Sequence, residues 1–118
     1  MKRYLGKKKV LRIYIDTTDK YENTPLWEKI LEEVKKEKLA GATLFKAEAG
    51  IGAFSELHTF KVWALAQKLP LVIEIIDDDE RIESFLNHID SMIQNALITL
   101  TETEVIRYKH KNFADKEY

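Results

Sequence analysis

Residues 71–76, Leu-Val-Ile-Glu-Ile-Ile, place the tightest constraint on what this chain can become. Side chains alternate between the two faces of a strand, so Leu71, Ile73 and Ile75 share one face. Val72 and Ile76 then point the other way, and both faces are apolar. A strand of this kind lies inside a sheet that is covered on both sides. The rest of the chain must supply that cover or recruit it.

The other periodic segments supply one side. Val10 to Asp16 alternates Leu11, Ile13 and Ile15 against Val10, Arg12 and Tyr14 and reads as a first strand. Thr24-Pro25 places a threonine cap before a proline at the first helical position, a helix start. Leu26, Trp27, Ile30, Leu31 and Val34 then recur at helical spacing, which predicts a helix to about Lys38, ahead of Gly41. Ala42 to Glu48 reads as a second strand. Residues 59–68 fit a strand through Phe60, Val62 and Ala64 and a helix through Phe60, Trp63, Ala64 and Gln67; both readings stay open. After the strand at 71–76, Asp77, Asp78, Asp79 and Glu80 suit the positive end of a helix. That helix is amphipathic through Ile82, Phe85, Leu86, Ile89, Met92 and Ile93. Ile98 to Tyr108 is a last strand.

The order strand, helix, strand, strand, helix, strand is that of the α+β ferredoxin-like βαββαβ fold, an antiparallel sheet with two helices on one face. One domain is expected over residues 10–108, between a loose basic tail at 1–9 and a polar tail at 109–118. Both helices cover the same face, so Val72, Ile76, Tyr14 and Val10 face outward with no element left to cover them. Self-association in a closed symmetric oligomer is the expected remedy.

Composition narrows the function. A chain of 118 residues, 45 % apolar, holds one core. Nineteen basic residues against twenty acidic ones give no net field to draw it onto nucleic acid or an anionic membrane. The absence of cysteine excludes disulfides, thiolate metal sites and a cysteine nucleophile. No apolar run is long enough for a membrane span or a secretory signal, and a cytoplasmic location is expected.

The feature that points to function is Ala49 to Thr59, AGIGAFSELHT. A tight hairpin turn would suffice after the second strand, yet some ten residues intervene, and long irregular connections in small domains tend to carry function. Glycines at 50 and 52 let backbone amides approach an anion closely. Ser55 and Thr59 add hydroxyls, and His58 adds a donor or acceptor that titrates near neutrality. The pattern is neither a Walker loop nor a dinucleotide fingerprint. Ser55 and His58 alone do not make a nucleophile and base, and no catalytic residue is assigned.

The span from LRIYIDTTDKYENTPLWE through GATLFKAEAGIGAFSELHT and LPLVIEIIDDDERIESFL to LITLTETEVIRY resembles the family called domain of unknown function 190, which is grouped with the PII-like signalling proteins. The resemblance implies a PII-like homotrimer with a long loop after the second strand. Gly50-Ile51-Gly52 and His58-Thr59 match the start and end of that loop. Arg107 and Lys109 match the family's basic residues after the last strand, and Asp16, Lys20 and Tyr21 its Asp-Lys-Tyr segment. The ligand set so implied is Gly50, Gly52, Ser55, His58, Thr59, Arg107 and Lys109, with Asp16, Lys20 and Tyr21 beside it. The expected ligand is a small anionic effector, with a nucleotide as one candidate, and the expected target a membrane transporter or an enzyme.

Authentic PII proteins carry a glycine- and lysine-rich loop before the second helix, where this chain reads DDDERIE. Four carboxylates repel a triphosphate unless a divalent cation intervenes. Two alternatives therefore stand beside the sensor: a scaffolding oligomer, and a trimer binding metal through Asp77 to Glu80. His58, His88 and His110 lack metal-ligand spacing, and Trp27 and Trp63 are expected in the core or an interface.

Overall fold

The computed structural model describes residues 2–50, 58–59 and 69–111. Four antiparallel strands form the main sheet: β1 (Gly6–Asp16), β4 (Ala42–Lys46), β7 (Pro70–Asp77) and β8 (Leu97–Val105), in the order β4-β7-β1-β8. Two short ribbons flank it, β2 (Lys20–Tyr21) with β3 (Thr24–Pro25), and β5 (Ala49–Gly50) with β6 (His58–Thr59). The described helices are α1 (Leu26–Lys36) and α2 (Asp79–Ile89), and a 3₁₀ turn over Asp90–Met92 extends α2. This is the ferredoxin-like arrangement.

The central pair is β1 with β7, and it pairs like with like: Leu11 opposite Ile75, Ile13 opposite Ile73, Ile15 opposite Leu71. These residues line one face, over which α1 lays Leu26, Ile30 and Val34 and α2 lays Ile82, Phe85 and Ile89 in a single buried cluster. Burial of these branched side chains, at about 1.5–3 kcal/mol each, is the main force holding the layers together.

Among the described residues no helix lies on the other face. Val10, Arg12 and Tyr14 share it with Val72, Glu74 and Ile76 through the same register. Val10 is buried there, whereas Tyr14, Phe45, Ile76 and Leu97 remain exposed. Within one chain the doubly apolar strand thus has one face packed under the helices and, on the other, Val72 half-buried and Ile76 exposed.

Several boundaries differ from the sequence reading. The basic tail expected at residues 1–9 is in large part strand: a 3₁₀ turn covers Lys2–Tyr4 and β1 begins at Gly6. The reason is charge pairing across distant segments. Lys9 meets Glu102 at 3.0 Å, and Lys8, buried, meets Asp78 at 2.5 Å. A run of like charge reads as a tail only until its counterions are located.

Thr24 does not cap α1. With Pro25 it pairs with Lys20–Tyr21, and Pro25 itself occupies the cap position in extended backbone. The Leu26 amide donates instead to the Asp19 carbonyl at 2.8 Å, which satisfies one of the helix's free N–H groups. Helix α1 stops at Lys36, and Lys38 takes a left-handed backbone with φ 58°. β4 ends at Lys46 rather than Glu48, and β8 at Val105 rather than Tyr108. The undecided segment at 60–68 and Trp63 lie outside the described residues, while Trp27 packs against the core.

Phe85, 1 % exposed, sits where both helices meet the sheet. Phe85→Ala is expected to cost about 3–5 kcal/mol in urea unfolding. An unchanged midpoint would contradict its placement in the core.

Candidate functional site

The antiparallel register sorts the candidate residues to opposite ends of the sheet. At one end β1 finishes at Asp16, β7 begins at Pro70 and β4 finishes at Lys46. Two backbone bonds tie this end together. The Ala47 amide donates to the Pro70 carbonyl and the Thr17 amide to the Leu69 carbonyl, both at 2.9 Å. The Leu69 amide returns a bond to Thr17 Oγ1.

From this end β5 and β6 rise as a two-residue ladder, Ala49 opposite Thr59 and Gly50 opposite His58. The glycine and histidine that bracket the motif in sequence are therefore cross-strand partners, forming the stem of the 49–59 connection. Gly52 and Ser55 lie outside the described residues. Asp16 is at the same end, where its amide donates to Asp19 Oδ2 at 2.9 Å and Asp19 bonds back to the Asp16 carbonyl. That tight turn leads to Lys20, exposed, and Tyr21, half-buried with the Lys29 ammonium 5.9 Å from its ring centroid. Gly50, His58, Thr59, Asp16, Lys20 and Tyr21 thus all lie toward this end of the sheet.

Arg107 and Lys109 are not in that group. β8 runs opposite to β1, so Val105 faces Gly6 while Leu97 faces Tyr14. The two basic residues follow Val105, at the far end of an 11-residue strand, roughly 33 Å from the stem. A single chain does not bring them together, and a site using both needs a second chain. Both are exposed, and between them Tyr108 stacks on Tyr4 with ring centroids 4.7 Å apart. The stack anchors the segment that carries them.

This far end also accounts for the acidic run. Asp77 is buried and accepts from the Ala40 and Asp78 amides and from Arg3 at 3.3 Å. Asp78 takes the Lys8 ammonium, and Arg81 lies 4.0 Å from it. Asp79 and Glu80 occupy the first turn of α2, where the helix dipole favours them. The run is committed to the fold. Among the described residues no group of three or more His, Asp or Glu side chains is arranged to hold a metal ion.

Sequence reasoning missed a second polar cluster. His88 Nε2 on α2 lies 2.6 Å from Glu33 Oε1 on α1, and Glu33 is buried. Lys36 and Lys29 approach its other oxygen at 3.3 and 3.4 Å. The hydrogen bond from His88, aided by Lys36 and Lys29 and opposed by burial, pushes the Glu33 carboxyl down to about 2. A glutamate on the otherwise apolar stripe of α1 was the available signal; its partner, 55 residues away, was not visible.

With the fold in place, the chain takes its class: an α+β protein of PII-like fold. It resembles the nitrogen regulatory PII-like protein CPII of Thiomonas intermedia K12, solved bound to ADP, AMP and bicarbonate. The TM-score is 0.63 at 13 % identity over 86 % of this chain and 97 % of that one. The chain belongs to the family of domain of unknown function 190, "Uncharacterized ACR", which it matches over residues 8–105. It is 43 % identical to a UPF0166 protein of Aquifex aeolicus (strain VF5) over 100 residues, 85 % of this chain and 94 % of that protein. It is also 32 % identical to a UPF0166 protein of Methanocaldococcus jannaschii, covering 86 % and 94 %.

The Glu33 cluster gives a pH prediction. Its carboxyl is held below the ordinary value of 4.5, so its contribution to stability is full above 4.5 and is lost as pH falls toward 2. Glu33→Gln should lower Tm at pH 7 and flatten the fall in Tm between pH 4.5 and 2. A parallel downward shift at every pH would show that the carboxylate's charge contributes nothing.

Proposed function

We propose that this protein is a PII-like regulator: a homotrimer that binds a small anionic effector in clefts between subunits and signals through residues 49–59. The observation that carries this reading is the bare sheet face. Tyr14, Phe45, Ile76 and Leu97 form an apolar surface of the kind that identical chains bury against each other. At its centre Arg12 and Glu74, cross-strand neighbours, pair at 3.0 Å, so covering the face strands neither charge.

Association also answers the separation of the candidate residues. With each stem at one end of its sheet and Arg107 and Lys109 at the other, a neighbouring subunit is the source from which basic residues can reach a stem. In each cleft Gly50 and Gly52 offer backbone amides, and Ser55, His58 and Thr59 side-chain hydrogen bonds. Asp16, Lys20 and Tyr21 form the floor, and Arg107 and Lys109 supply neutralising charge. A nucleotide is the first effector to test, because CPII was solved with ADP and AMP. The effector favours one arrangement of residues 49–59, which engages or releases a transporter or enzyme target in the cytoplasm. The role is regulatory, and no catalytic step is assigned.

A thermal-shift series with ADP, AMP and bicarbonate tests the reading. A cognate ligand at about a hundred times its Kd adds roughly 2.7 kcal/mol and raises Tm. Gly52→Val combined with His58→Ala should abolish the shift and leave the sedimentation coefficient unchanged. Silence toward every anion tried would favour a scaffold, and a lone 13.8 kDa species in sedimentation would remove the clefts altogether.

A further inference from the structure

Glu33 is a carboxylate on α1 that is only 4 % exposed, and an apolar helix layer does not call for one. Its two oxygens have different partners. His88 Nε2 of α2 lies 2.6 Å from Oε1, a full hydrogen bond. Lys36 and Lys29 approach Oε2 at 3.3 and 3.4 Å, yet neither completes a hydrogen bond to it. An ionised oxygen in a dry site attracts every cation that can reach it. The charge on Glu33 is therefore shared, and the share each lysine takes depends on what His88 carries.

Lys29 is the cation with a second choice. Its ammonium also lies 5.9 Å from the centroid of the Tyr21 ring, close to the outer limit of about 6 Å for a cation–π contact. Its separation from Glu33 is likewise longer than the ~2.7–2.9 Å of a charge-assisted hydrogen bond. Lys29 stands between two partners at the long end of both ranges, so a modest change of charge at Glu33 decides which one it favours. Tyr21 belongs to β2, just beyond the turn that Asp16 and Asp19 close at the stem end. A line of contacts thus runs from His88 through Glu33 and Lys29 to the floor of the proposed effector cleft.

The surrounding charges set the direction. Among the described residues His88 faces Glu33 and, at 3.9 Å, Glu37, both on α1. Glu80 and Arg81 of α2 border Glu37, one charge of each sign. With His88 neutral, Lys29 and Lys36 are the cations nearest the buried carboxylate and both are drawn to it. A proton on His88 supplies a third cation at Oε1, which weakens the hold of Glu33 on Lys29 and repels Lys29 toward the Tyr21 ring. The His88 side chain is 39 % exposed, so protons from solvent reach it. Imidazole changes charge between about pH 5 and 8. Glu33 itself, held down to about 2 by the His88 hydrogen bond and the two lysines, stays ionised throughout that range.

We propose that protonation of His88 is relayed through Glu33 and Lys29 to Tyr21, making the proton a second signal that acts on the floor of the effector cleft. Its consequence for effector binding rests on the regulatory reading. The relay itself does not, and it is read without any ligand.

The test is NMR of the full chain with isotope-labelled tyrosine and histidine, titrated from about pH 5 to 8. Tyr21→Phe and His88→Gln assign the two signals. The Tyr21 ring resonances should move in one step whose midpoint equals that of His88. The Tyr21 step should vanish in His88→Gln. In Lys29→Gln it should vanish while His88 still titrates, an outcome that a merely structural lysine would not give. The far-ultraviolet spectrum checks that each variant is folded. A Tyr21 signal that stays flat while His88 titrates, a step that survives either substitution, or a His88 that does not change charge in this range would overturn the relay. Failure of ADP to bind would remove the regulatory reading and leave these titrations as they are, whereas a flat Tyr21 with ADP binding intact would remove the relay alone.

Discussion

The rest of the structure hangs on the pairing of β1 with β7. Leu11, Ile13, Ile73 and Ile75 are wholly buried, and they meet across the two central strands in one register. A slip of one residue would exchange these four for Val10, Arg12, Val72 and Glu74 and put an ion pair beneath the helices. The register is therefore fixed by the cost of burying Arg12 and Glu74 where no water reaches. Once it is fixed, both helices have one place to lie, and the two ends of the sheet are assigned.

That assignment gives the ends different characters. The stem end is held by backbone hydrogen bonds between Ala47 and Pro70 and between Thr17 and Leu69, with Thr17 Oγ1 and Asp19 Oδ2 accepting from the Leu69 and Asp16 amides. The far end is held by charge: Asp77, Asp78, Arg3 and Lys8 neutralise one another at a corner that closes the sheet against the N-terminal turn. Buried ion pairs add little net stability but are costly to break, so this corner resists rearrangement.

The helix-free face links the fold to assembly. A four-stranded sheet with helices on one side leaves the other to be covered, and here that surface is apolar around one internally neutralised pair. Its exposure in a single chain has the same physical origin as the separation of Arg107 and Lys109 from the stem. Each is left open in one copy, and the proposed association of copies would complete both.

Much of this was legible in the sequence, because strand and helix periodicities are local and the core obeys them. The element order, the two-faced strand at 71–76 and the stripes Leu26, Ile30, Val34 and Ile82, Phe85, Ile89 all follow from spacing alone. What the sequence could not supply is where charges find their partners. Lys7-Lys8-Lys9 read as a tail because Asp78 and Glu102 are far along the chain, and Asp77 to Glu80 read as a candidate metal or repulsive site because Arg3 and Lys8 are equally distant. The Glu33–His88 pair and the Arg3–Tyr4–Tyr108 corner were hidden for the same reason. Hydrophobic burial depends on which face a residue occupies, and periodicity reports that; ion pairs and stacks depend on which residues meet in space, and only the folded chain decides it.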